Sequence, residues 1–463
     1  MLTSRFFPQV TSILKIFGPT NEIELRINTD SRSFKSSETF VALHGENFDG
    51  FNYVEQVAKS GAKAIIYSNI EGRDQEIEAL SISHPEIQFI STTDSLKCIQ
   101  ELASAYILDW SAKKNSRKII GITGSNGKTT HKEMIASLLN YILPQKVLAT
   151  KGNLNNHIGV PLTVFGLTDE HEIAIIEMGM NHQGEINELC NIAHPEHGMI
   201  TNIGPAHIEF MHSMENIFKE KSSLYHAVLK NAKGKGSFVV NGDDEYLLKL
   251  EKTEGLTTYG EKNGDIKIHI SGNTIRFHIF NQEVLITNKN IPEHHNLKNL
   301  TGTAILAMKL FPDKVKEITA AAGEYIQPSM NRSQWIDNIF LDAYNANPSS
   351  MRVSVDSFVA IIKNKGIELN DCYFVLGDMN ELGTFAEELH AEIAKHVASL
   401  GIKNISFIGR YKDFYQKGLK NPSSSYLVKE DFHNEWKNIR KSYKFIFVKA
   451  SRSLQLESLM SIV

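Results

Sequence analysis

The run Lys118-Ile-Ile-Gly-Ile-Thr-Gly-Ser-Asn-Gly-Lys-Thr-Thr130 decides the class of fold. Its first six residues are mostly apolar, which is typical of a short strand buried in a parallel sheet. A glycine-rich turn follows at 124–127, and a helix is predicted from about His131 to Ile142. A strand, a glycine-rich loop and a helix in this order predict a phosphate-binding loop in an α/β domain.

The residue types in this loop suit a nucleoside triphosphate. Glycines let the backbone N–H groups turn toward phosphate oxygens, and the start of the helix adds partial positive charge. Lys128 can reach the outer phosphates, and the Thr129 hydroxyl can bind magnesium. The spacing is the shorter G-x-x-G-K-T form, because Ile122 stands where the usual first glycine would be. A chance glycine-rich turn is the alternative, which the flanking strand and helix disfavour. The residues predicted to bind ATP are Gly124, Ser125, Asn126, Gly127, Lys128, Thr129 and Thr130.

A magnesium ion at such a loop needs an acidic residue at the end of a neighbouring strand. Glu177 directly follows the apolar run 173–176 and meets this requirement. A glutamate at a strand end is by itself usually a solvated terminus. A phosphate loop in the same domain favours Glu177 as a magnesium ligand instead.

The rest of the chain extends this pattern to an α/β protein of three domains, the number that 463 residues accommodate. Residues 1–112 are predicted to form a small mixed α/β domain, followed by a polar linker at 111–117. Residues 113–327 alternate strands and helices, which predicts a central parallel-sheet ATPase domain with both faces covered, and 266–288 is predicted to be antiparallel. A second series of strands and helices predicts a Rossmann-like C-terminal domain at 328–463.

Composition excludes several classes of function. A hydrophobic fraction of 41%, a charged fraction of 22% and a net charge of −4 are ordinary for a globular protein and give no reason to expect nucleic acid as a partner. No apolar stretch approaches the ~18 residues of a membrane helix, and the first 18 residues make a poor signal peptide. The three distant cysteines predict buried thiols. We expect a cytoplasmic protein with no membrane insertion.

Further motifs lie on both sides of the phosphate loop. Together they make the chain resemble the Mur ligases of peptidoglycan synthesis, and the resemblance runs through nearly the whole sequence. The motifs are Asp30-Ser-Arg32, Phe40-Val-Ala-Leu-His-Gly-Glu46, Gly152-Asn-Leu-Asn-Asn156, Asn181-His-Gln-Gly-Glu-Ile186, Asn202, His207, Asn241-Gly-Asp-Asp244, His295-Asn296, Asn299, Arg332, Asp342-Ala-Tyr-Asn-Ala-Asn-Pro348 and Leu376-Gly-Asp-Met-Asn-Glu-Leu-Gly383.

This resemblance implies an ATP-dependent ligase that forms an amide bond and works as a monomer. ATP would phosphorylate the free carboxylate of a UDP-N-acetylmuramoyl-tripeptide, and the amine of D-alanyl-D-alanine would attack the acyl phosphate. Another Mur-type ligase that adds a single amino acid, or a folylpolyglutamate-type ligase, is the alternative within the fold. A nucleotide-dependent switch and a simple kinase are the alternatives outside it. The switch would need neither His207 nor a third domain, and the kinase would release a stable phosphorylated product and need no amine acceptor.

The resemblance also assigns roles at the reaction centre. It implies two magnesium ions, the second held by Glu177, His207 and a carbamate on a lysine. By position that lysine is Lys221, and Lys219 is the alternative. Lys128, Glu177, His207 and Lys221 are thus the expected catalytic residues, and Thr129 joins the last three as a metal ligand.

The remaining roles concern the substrates. The resemblance implies adenine contacts from His295, Asn296 and Asn299, although Glu293 stands where the family has glycine. Arg332 and Asp342 would come from the third domain onto ATP phosphate and ribose. The loop from Tyr344 to Pro348 would build the dipeptide pocket, or would merely cap a strand as a turn. The expected substrate-binding residues are Ser31, Arg32, Asn155, Asn156, Asn181, His182, Tyr344, Asn345 and Asn347.

Overall fold

The computed structural model describes residues 1–70, 72–328, 333–419 and 423–462. The strands of this part of the chain form sheets of five, nine and six strands, with an additional two-stranded hairpin. Arg332 lies outside the described residues, so its predicted role has no structural counterpart. Within the described ranges, no helix is both long and apolar enough to cross a bilayer.

The first sheet is formed entirely by residues before position 93. Its strands and the accompanying elements are β1 Ile13–Phe17, β2 Ile27–Asn28, β3 Thr39–Ala42, β4 His44–Gly45, β5 Phe48–Asp49, α1 Val54–Lys59, β6 Ala64–Ser68, α2 Arg73–Ser83, β7 Gln88–Thr92 and α3 Ser95–Ala112. The order is β1-β7-β6-β3-β2, in which β1 is antiparallel to β7 and the other neighbours are parallel. The first unit is therefore mixed α/β, as predicted.

The second sheet contains the phosphate loop. Its elements are β8 Lys118–Thr123, α4 Lys128–Ile142, β9 Val147–Ala149, α5 Gly159–Phe165, β10 Ile173–Glu177, α6 Glu185–Ala193, β11 His197–Ile200, α7 Ile208–Met211, α8 Met214–Asn231, β12 Phe238–Asn241, β13 Leu256–Gly260, β14 Ile266–Ser271, β15 Thr274–Ile279, β16 Gln282–Thr287, α9 His294–Leu310 and α10 Val315–Glu324. The order is β16-β15-β14-β13-β12-β11-β8-β10-β9. Strands β8 to β13 run parallel to all their neighbours. Strand β14 is parallel to β13 but antiparallel to β15, and β14, β15 and β16 form the predicted antiparallel edge.

Helices cover both faces of this sheet. Successive β8 side chains point to opposite faces, so neighbouring residues of the strand belong to different core clusters. Ile119 belongs to a core cluster that includes residues of α3, α5, α6 and α8. Ile120 and Ile122 belong to a separate cluster with residues of α4, α9 and α10. A strand buried on both faces reads as a continuous apolar run, which is why the sequence pattern identified β8 without error.

The third sheet begins after the segment that contains Arg332. Its elements are β17 Gln334–Ile336, β18 Ile339–Asp342, α11 Pro348–Asn364, β19 Cys372–Gly377, α12 Ala386–Ser399, β20 Ile405–Ile408, α13 Lys412–Lys417, β21 Ser424–Tyr426, α14 Lys429–Ser442 and β22 Phe445–Lys449. The order is β17-β18-β22-β19-β20-β21, parallel except for β17. Strands β18, β22 and β19 are adjacent, so the loops after Asp342, Gly377 and Lys449 meet at one edge, where α/β sheets place their ligands.

Two predicted boundaries were wrong. Helix α4 begins at Lys128 rather than His131, because the left-handed backbone of Gly127 ends the loop and the first helical turn follows at once. The stretch 111–117 is not a free linker: α3 continues to Ala112, and Arg117 is buried. The Arg117 guanidinium donates to the carbonyl oxygens of Trp110 at 2.6 Å and Asp169 at 2.8 Å, which fixes the entry to β8.

All three cysteines, Cys98, Cys190 and Cys372, are free and buried, as predicted. Burial raises the pKa of the Cys98 and Cys190 thiols to about 12, and that of Cys372 to about 11. These thiols therefore act as apolar filling in the core rather than as nucleophiles.

Candidate active site

The phosphate loop lies between β8 and α4 and is hydrogen-bonded to Thr201 and Asn202, which directly follow strand β11. Gly124 has φ of +150°, and a Cβ at this position would lie 1.8 Å from Oγ1 of Thr201. Only glycine allows this approach. The Thr201 hydroxyl and the Asn202 side-chain amide both donate to the Asn126 carbonyl oxygen, at 2.5 Å and 3.1 Å. The Asn126 N–H donates to Asn202 Oδ1 at 3.0 Å. The two residues after β11 thereby fix the conformation of the loop.

Lys128 and Ser125 complete the loop. Nζ of Lys128 donates to the carbonyl oxygen of Gly124 at 2.8 Å, so the ammonium group lies over the loop that would hold the phosphates. The Ser125 hydroxyl donates to the Gly204 carbonyl oxygen at 2.8 Å and accepts from the Gly204 N–H at 2.9 Å. The side chain of Ser125 therefore anchors the loop to the segment after β11.

A buried carboxylate lies beside the start of α4. Oε1 of Glu177, at the end of β10, accepts from the Thr129 hydroxyl at 3.2 Å and from the Asn155 amide at 2.8 Å. The second oxygen, Oε2, is buried and has no hydrogen-bond partner among the described residues. An orphaned carboxylate oxygen is costly in a protein interior, and a cation would satisfy it. Thr129 and Glu177 are thus together, as a magnesium site requires.

Helix α8 brings Lys221 into the interior. Its side chain is 1% exposed, whereas Lys219, two residues earlier, is on the surface. Burial lowers the pKa of Lys221 well below its usual value, and the positive charge of Lys128 lowers it further. The neighbouring Glu220 turns away to cap α6, accepting from the N–H groups of Gly184 and Ile186, each at 2.8 Å. Of the two lysines, the structure therefore places only Lys221 inside the protein.

His207 lies at the boundary between the second and third sheets. It precedes α7 with a φ of +58°, in the left-handed region. Nδ1 of His207 lies 2.5 Å from Oε2 of Glu381, which belongs to the loop after β19. This contact lowers the pKa of the Glu381 carboxyl group. The third unit thereby reaches a residue predicted to bind metal in the second.

The predicted adenine cluster lies at the start of α9. Nδ1 of His295 is 2.8 Å from the hydroxyl of Ser357 on α11, and burial lowers the pKa of His295 to about 4. The Asn299 amide donates to Oδ1 of Asn296 at 3.3 Å. Burial raises the pKa of Glu293, the residue in place of the family glycine, to about 7. This end of the site is neutral and polar, which suits a nucleobase.

Two loops of the third sheet face the phosphate loop. The buried Lys449 ammonium donates to Oδ2 of Asp342 at 2.6 Å and to the Asn345 carbonyl oxygen at 3.0 Å. The guanidinium of Arg452 lies 5.0 Å from the centre of the Tyr344 ring. Lys449, the last residue of β22, and Arg452, which follows the strand, therefore support the loop that follows β18.

Most of these groups line one cavity of about 630 Å³, but Lys221 and Glu381 are not among its lining residues. The phosphate loop, Glu177 and His207 form one side, and Asp342, Tyr344 and Asn345 form another. His295, Asn296 and Asn299 line it as well. A volume of this size accommodates a nucleotide-sized ligand.

Comparison with known proteins identifies the family. Residues 122–307 match a model described as the Mur ligase middle domain. The UDP-N-acetylmuramoyl-tripeptide–D-alanyl-D-alanine ligase of Bacillus subtilis is 30% identical over 94% of this chain and 92% of its own length. That of Haemophilus influenzae is 32% identical over 84% and 82%. The chain belongs to the Mur ligase family. A crystal structure of MurF from Acinetobacter baumannii superimposes with a TM-score of 0.79, at 26% identity and coverage of 96% and 94%.

This Mur ligase keeps some of the predicted substrate residues away from the cavity. Ser31 and Arg32 lie in the first unit, and Arg32 is exposed and paired with Asp30 at 2.8 Å. Asn156 uses its side-chain oxygen at the start of α5, where it accepts from the N–H of Gly159 at 2.8 Å. Asn155, Asn156 and Asn181 all line the cavity. His182 lies beside it, with its ring 5.0 Å from that of Phe210.

Several residues around the Mur ligase cavity had no assigned role in the sequence analysis. Glu381 and Asn202 stand inside quoted motifs, so the signal was present without a function attached. Ser349 and Ser357 stand on α11 and carried no signal, because a serine on a helix has no distinctive pattern. Their contacts depend on where the third unit packs against the second.

Proposed function

We propose that this chain joins D-alanyl-D-alanine to a UDP-N-acetylmuramoyl-tripeptide through an amide bond, in a reaction driven by ATP. The observation that carries the proposal is the shared cavity, in which the phosphate loop faces Tyr344 and Asn345. A ligase of this kind has to hold a γ-phosphate, a carboxylate and an amine within reach of one another. The relatives from Bacillus subtilis and Haemophilus influenzae carry the name of this activity.

The first chemical step moves the γ-phosphoryl group of ATP to the terminal carboxylate of the tripeptide. Both reactants are anions, so their repulsion has to be cancelled before they can meet. Lys128 supplies positive charge at the phosphate loop, and the N-terminus of α4 adds its partial charge. The loop N–H groups orient the phosphates. The products are an acyl phosphate and ADP.

The second step forms the amide. The amine of D-alanyl-D-alanine attacks the acyl carbon, and the tetrahedral intermediate collapses to the amide and inorganic phosphate. We propose that Tyr344 and Asn345 hold the dipeptide, since their loop faces the phosphate loop across the cavity, and that Asn347, predicted to bind substrate, acts by fixing the end of this loop. Packing of the third unit over this space excludes water, which would otherwise hydrolyse the acyl phosphate.

The residues around Glu177 fit magnesium. The buried, unpartnered Oε2 of Glu177 and the Thr129 hydroxyl are oxygen ligands of the kind that Mg²⁺ prefers. Magnesium bound there would neutralise charge on the ATP phosphates. We propose a second magnesium ion held by Glu177, His207 and a carbamate on Lys221. Burial lowers the pKa of the Lys221 amine and so favours the neutral form, which is the form that reacts with carbon dioxide.

We propose that the three units, 1–112, 113–327 and 328–463, divide the work. The first would hold the UDP-sugar through Ser31 and Arg32, and the second would bind ATP. The third would contribute Asp342 and Arg332 to the ATP site. It would also supply the loop from Tyr344 to Pro348, here called the dipeptide loop. The tripeptide would extend from the first unit to the cavity past Asn155, Asn156, Asn181 and His182.

An omission series tests the proposal. Phosphate release from ATP and magnesium is measured with both substrates together and with each alone, and the product mass is determined. Release that requires both substrates, with a product heavier by the dipeptide less water, is the expected result. Full release without D-alanyl-D-alanine, or release that only a single amino acid or a folate supports, would contradict it.

A further inference from the structure

The N-terminus of α11, in the third unit, is hydrogen-bonded to the phosphate loop of the second. The Asn126 side-chain amide donates to the Ser349 hydroxyl at 2.6 Å. The Asn126 side-chain oxygen accepts from the Asn347 amide, also at 2.6 Å. Both polar atoms of the Asn126 side-chain amide group are thus hydrogen-bonded to the start of α11, one to the N-cap Asn347 and the other to Ser349 in the first turn. Asn126 lies 223 residues from Ser349 in sequence, so only packing of the two units creates this contact.

The same residues determine the conformation of the dipeptide loop. Asn347 is the N-cap of α11, and its side-chain oxygen accepts from the Ser350 N–H at 2.9 Å. The Ser350 hydroxyl accepts from the Asn347 N–H at 3.0 Å, which completes a capping box. Asn347 therefore has its oxygen committed to the helix and its amide committed to Asn126. The position of this cap therefore also sets the positions of Tyr344 and Asn345, which precede it in the chain.

The approach of the two units at this point is close. A Cβ added at Gly204 would lie 2.7 Å from the Ser349 hydroxyl oxygen and 3.7 Å from Nδ2 of Asn126. Gly204 is also bound to Ser125 of the phosphate loop through both its N–H and its carbonyl oxygen. Any side chain at position 204 would therefore separate α11 from the loop.

We infer that Asn126 is a positioning residue that couples the phosphate loop to the dipeptide loop. Its backbone belongs to the loop that holds ATP, and its side chain holds Asn347, the N-cap at which the dipeptide loop ends. Nucleotide binding thus favours the placement of Tyr344 and Asn345 that accepts D-alanyl-D-alanine. By linkage, the dipeptide tightens nucleotide binding by the same factor. This inference rests on the proposed function, because it takes the dipeptide as the ligand of that loop.

The test measures the coupling directly. The dissociation constant of a non-hydrolysable ATP analogue is measured by calorimetry with and without D-alanyl-D-alanine, in the presence of the tripeptide substrate. The variants are Asn126→Ala, Ser349→Ala and the double variant. Because a neutral hydrogen bond contributes about fivefold to an equilibrium, Ser349→Ala should reduce the coupling about fivefold and Asn126→Ala about tenfold or more. In Ser349→Ala the dissociation constant without dipeptide should change less than about twofold.

Two further variants separate coupling from mere structural damage. Ser350→Ala removes a bond of the capping box and leaves both contacts to Asn126, so it should lower thermal stability without reducing the coupling. Gly204→Ala should abolish the coupling by crowding the Ser349 hydroxyl. Adding Ser349→Ala to Gly204→Ala removes the crowded hydroxyl. The catalytic rate of this double variant should therefore be higher than that of Gly204→Ala alone.

The outcomes are distinct. Equal weakening of analogue binding with and without dipeptide, or additive effects of Asn126→Ala and Ser349→Ala, would overturn the inference, since residues that form one bond must show non-additive effects. If the unaltered protein shows no dipeptide dependence in the omission series, the proposed function fails instead. Dipeptide-dependent turnover with unchanged coupling in Asn126→Ala would leave the proposed function standing and reject the role of Asn126.

Discussion

The carboxylate of Glu381 lies 2.5 Å from Nδ1 of His207, although the two residues belong to different sheets. A histidine that binds metal through one nitrogen is commonly oriented by a carboxylate at the other. In this chain the orienting carboxylate comes from the third unit. The predicted metal ligand would therefore be oriented only while the two units are packed together.

Replacement of Glu381 should weaken magnesium dependence. We expect Glu381→Ala to lower kcat about 10- to 100-fold and to raise the magnesium concentration needed for half-maximal activity, because His207 loses its orienting partner. Titration of activity with magnesium checks this. Glu209→Gln is the matched control, since Glu209 is an exposed glutamate two residues from His207. An equal loss in both variants would contradict the prediction.

Lys221 should make activity depend on carbon dioxide. We expect activity to fall in buffer depleted of carbon dioxide and to return when bicarbonate is added, because burial lowers the pKa of the Lys221 amine and favours the form that can be carbamylated. Lys221→Gln should be nearly inactive and should not respond to bicarbonate. Lys219→Gln should behave as the unaltered protein does, because Lys219 is exposed. A bicarbonate response that survives in Lys221→Gln would exclude Lys221 as its source.

His390 should make the fold sensitive to acid. The Met379 N–H donates to Nε2 of His390 at 3.0 Å, and Nδ1 lies 2.6 Å from the Ala386 carbonyl oxygen, an arrangement that requires the neutral ring. Burial lowers the pKa of His390 to about 4. Between pH 6.5 and 4 the unfolded chain therefore binds a proton that the folded protein does not, so stability decreases as the pH falls through this window.

The measurement for His390 is the free energy of unfolding as a function of pH. The contribution of one such group is at most about 1.4 kcal/mol per pH unit. The slope for His390→Gln should be shallower than that for the unaltered protein by up to this amount between pH 6.5 and 4. Parallel slopes for the two proteins would show that His390 is protonated in the folded state as readily as in the unfolded chain.

Lys449 should affect both stability and dipeptide binding. Lys449→Met removes the ammonium group that bridges Asp342 and the Asn345 carbonyl oxygen, and breaking a buried ion pair of this kind costs on the order of 3 kcal/mol. We expect a lower melting temperature and a higher KM for D-alanyl-D-alanine. Lys444→Met is the control, because its ion pair with Asp371 is exposed. A lower melting temperature with an unchanged dipeptide KM would limit Lys449 to a structural role.

Local patterns predicted the strands that face the core and the phosphate loop. Strand β8 was placed exactly because both of its faces are buried, and the antiparallel edge at β14 to β16 alternates as such strands do. Short edge strands such as β9 and β21 were missed, since three residues carry too little pattern. The start of α4 was misplaced because the loop residues Lys128 and Thr129 are also the first turn of the helix.

Contacts between units could not be predicted from the sequence. Asn126 was expected to bind ATP, and nothing in a glycine-rich loop indicates that its side chain meets Ser349. Glu381 was part of a quoted motif, yet no spacing indicates that it reaches His207. Such contacts depend on how two separately folded sheets pack, which local periodicity does not encode.

The hydrogen bonds from Asn126 to Ser349 and Asn347, the contact of His295 with Ser357 and that of Glu381 with His207 are all polar. Water can replace either partner in each of them, so parting the two units leaves none of these groups unsatisfied. These polar contacts can therefore break to release a large product and reform within every catalytic cycle.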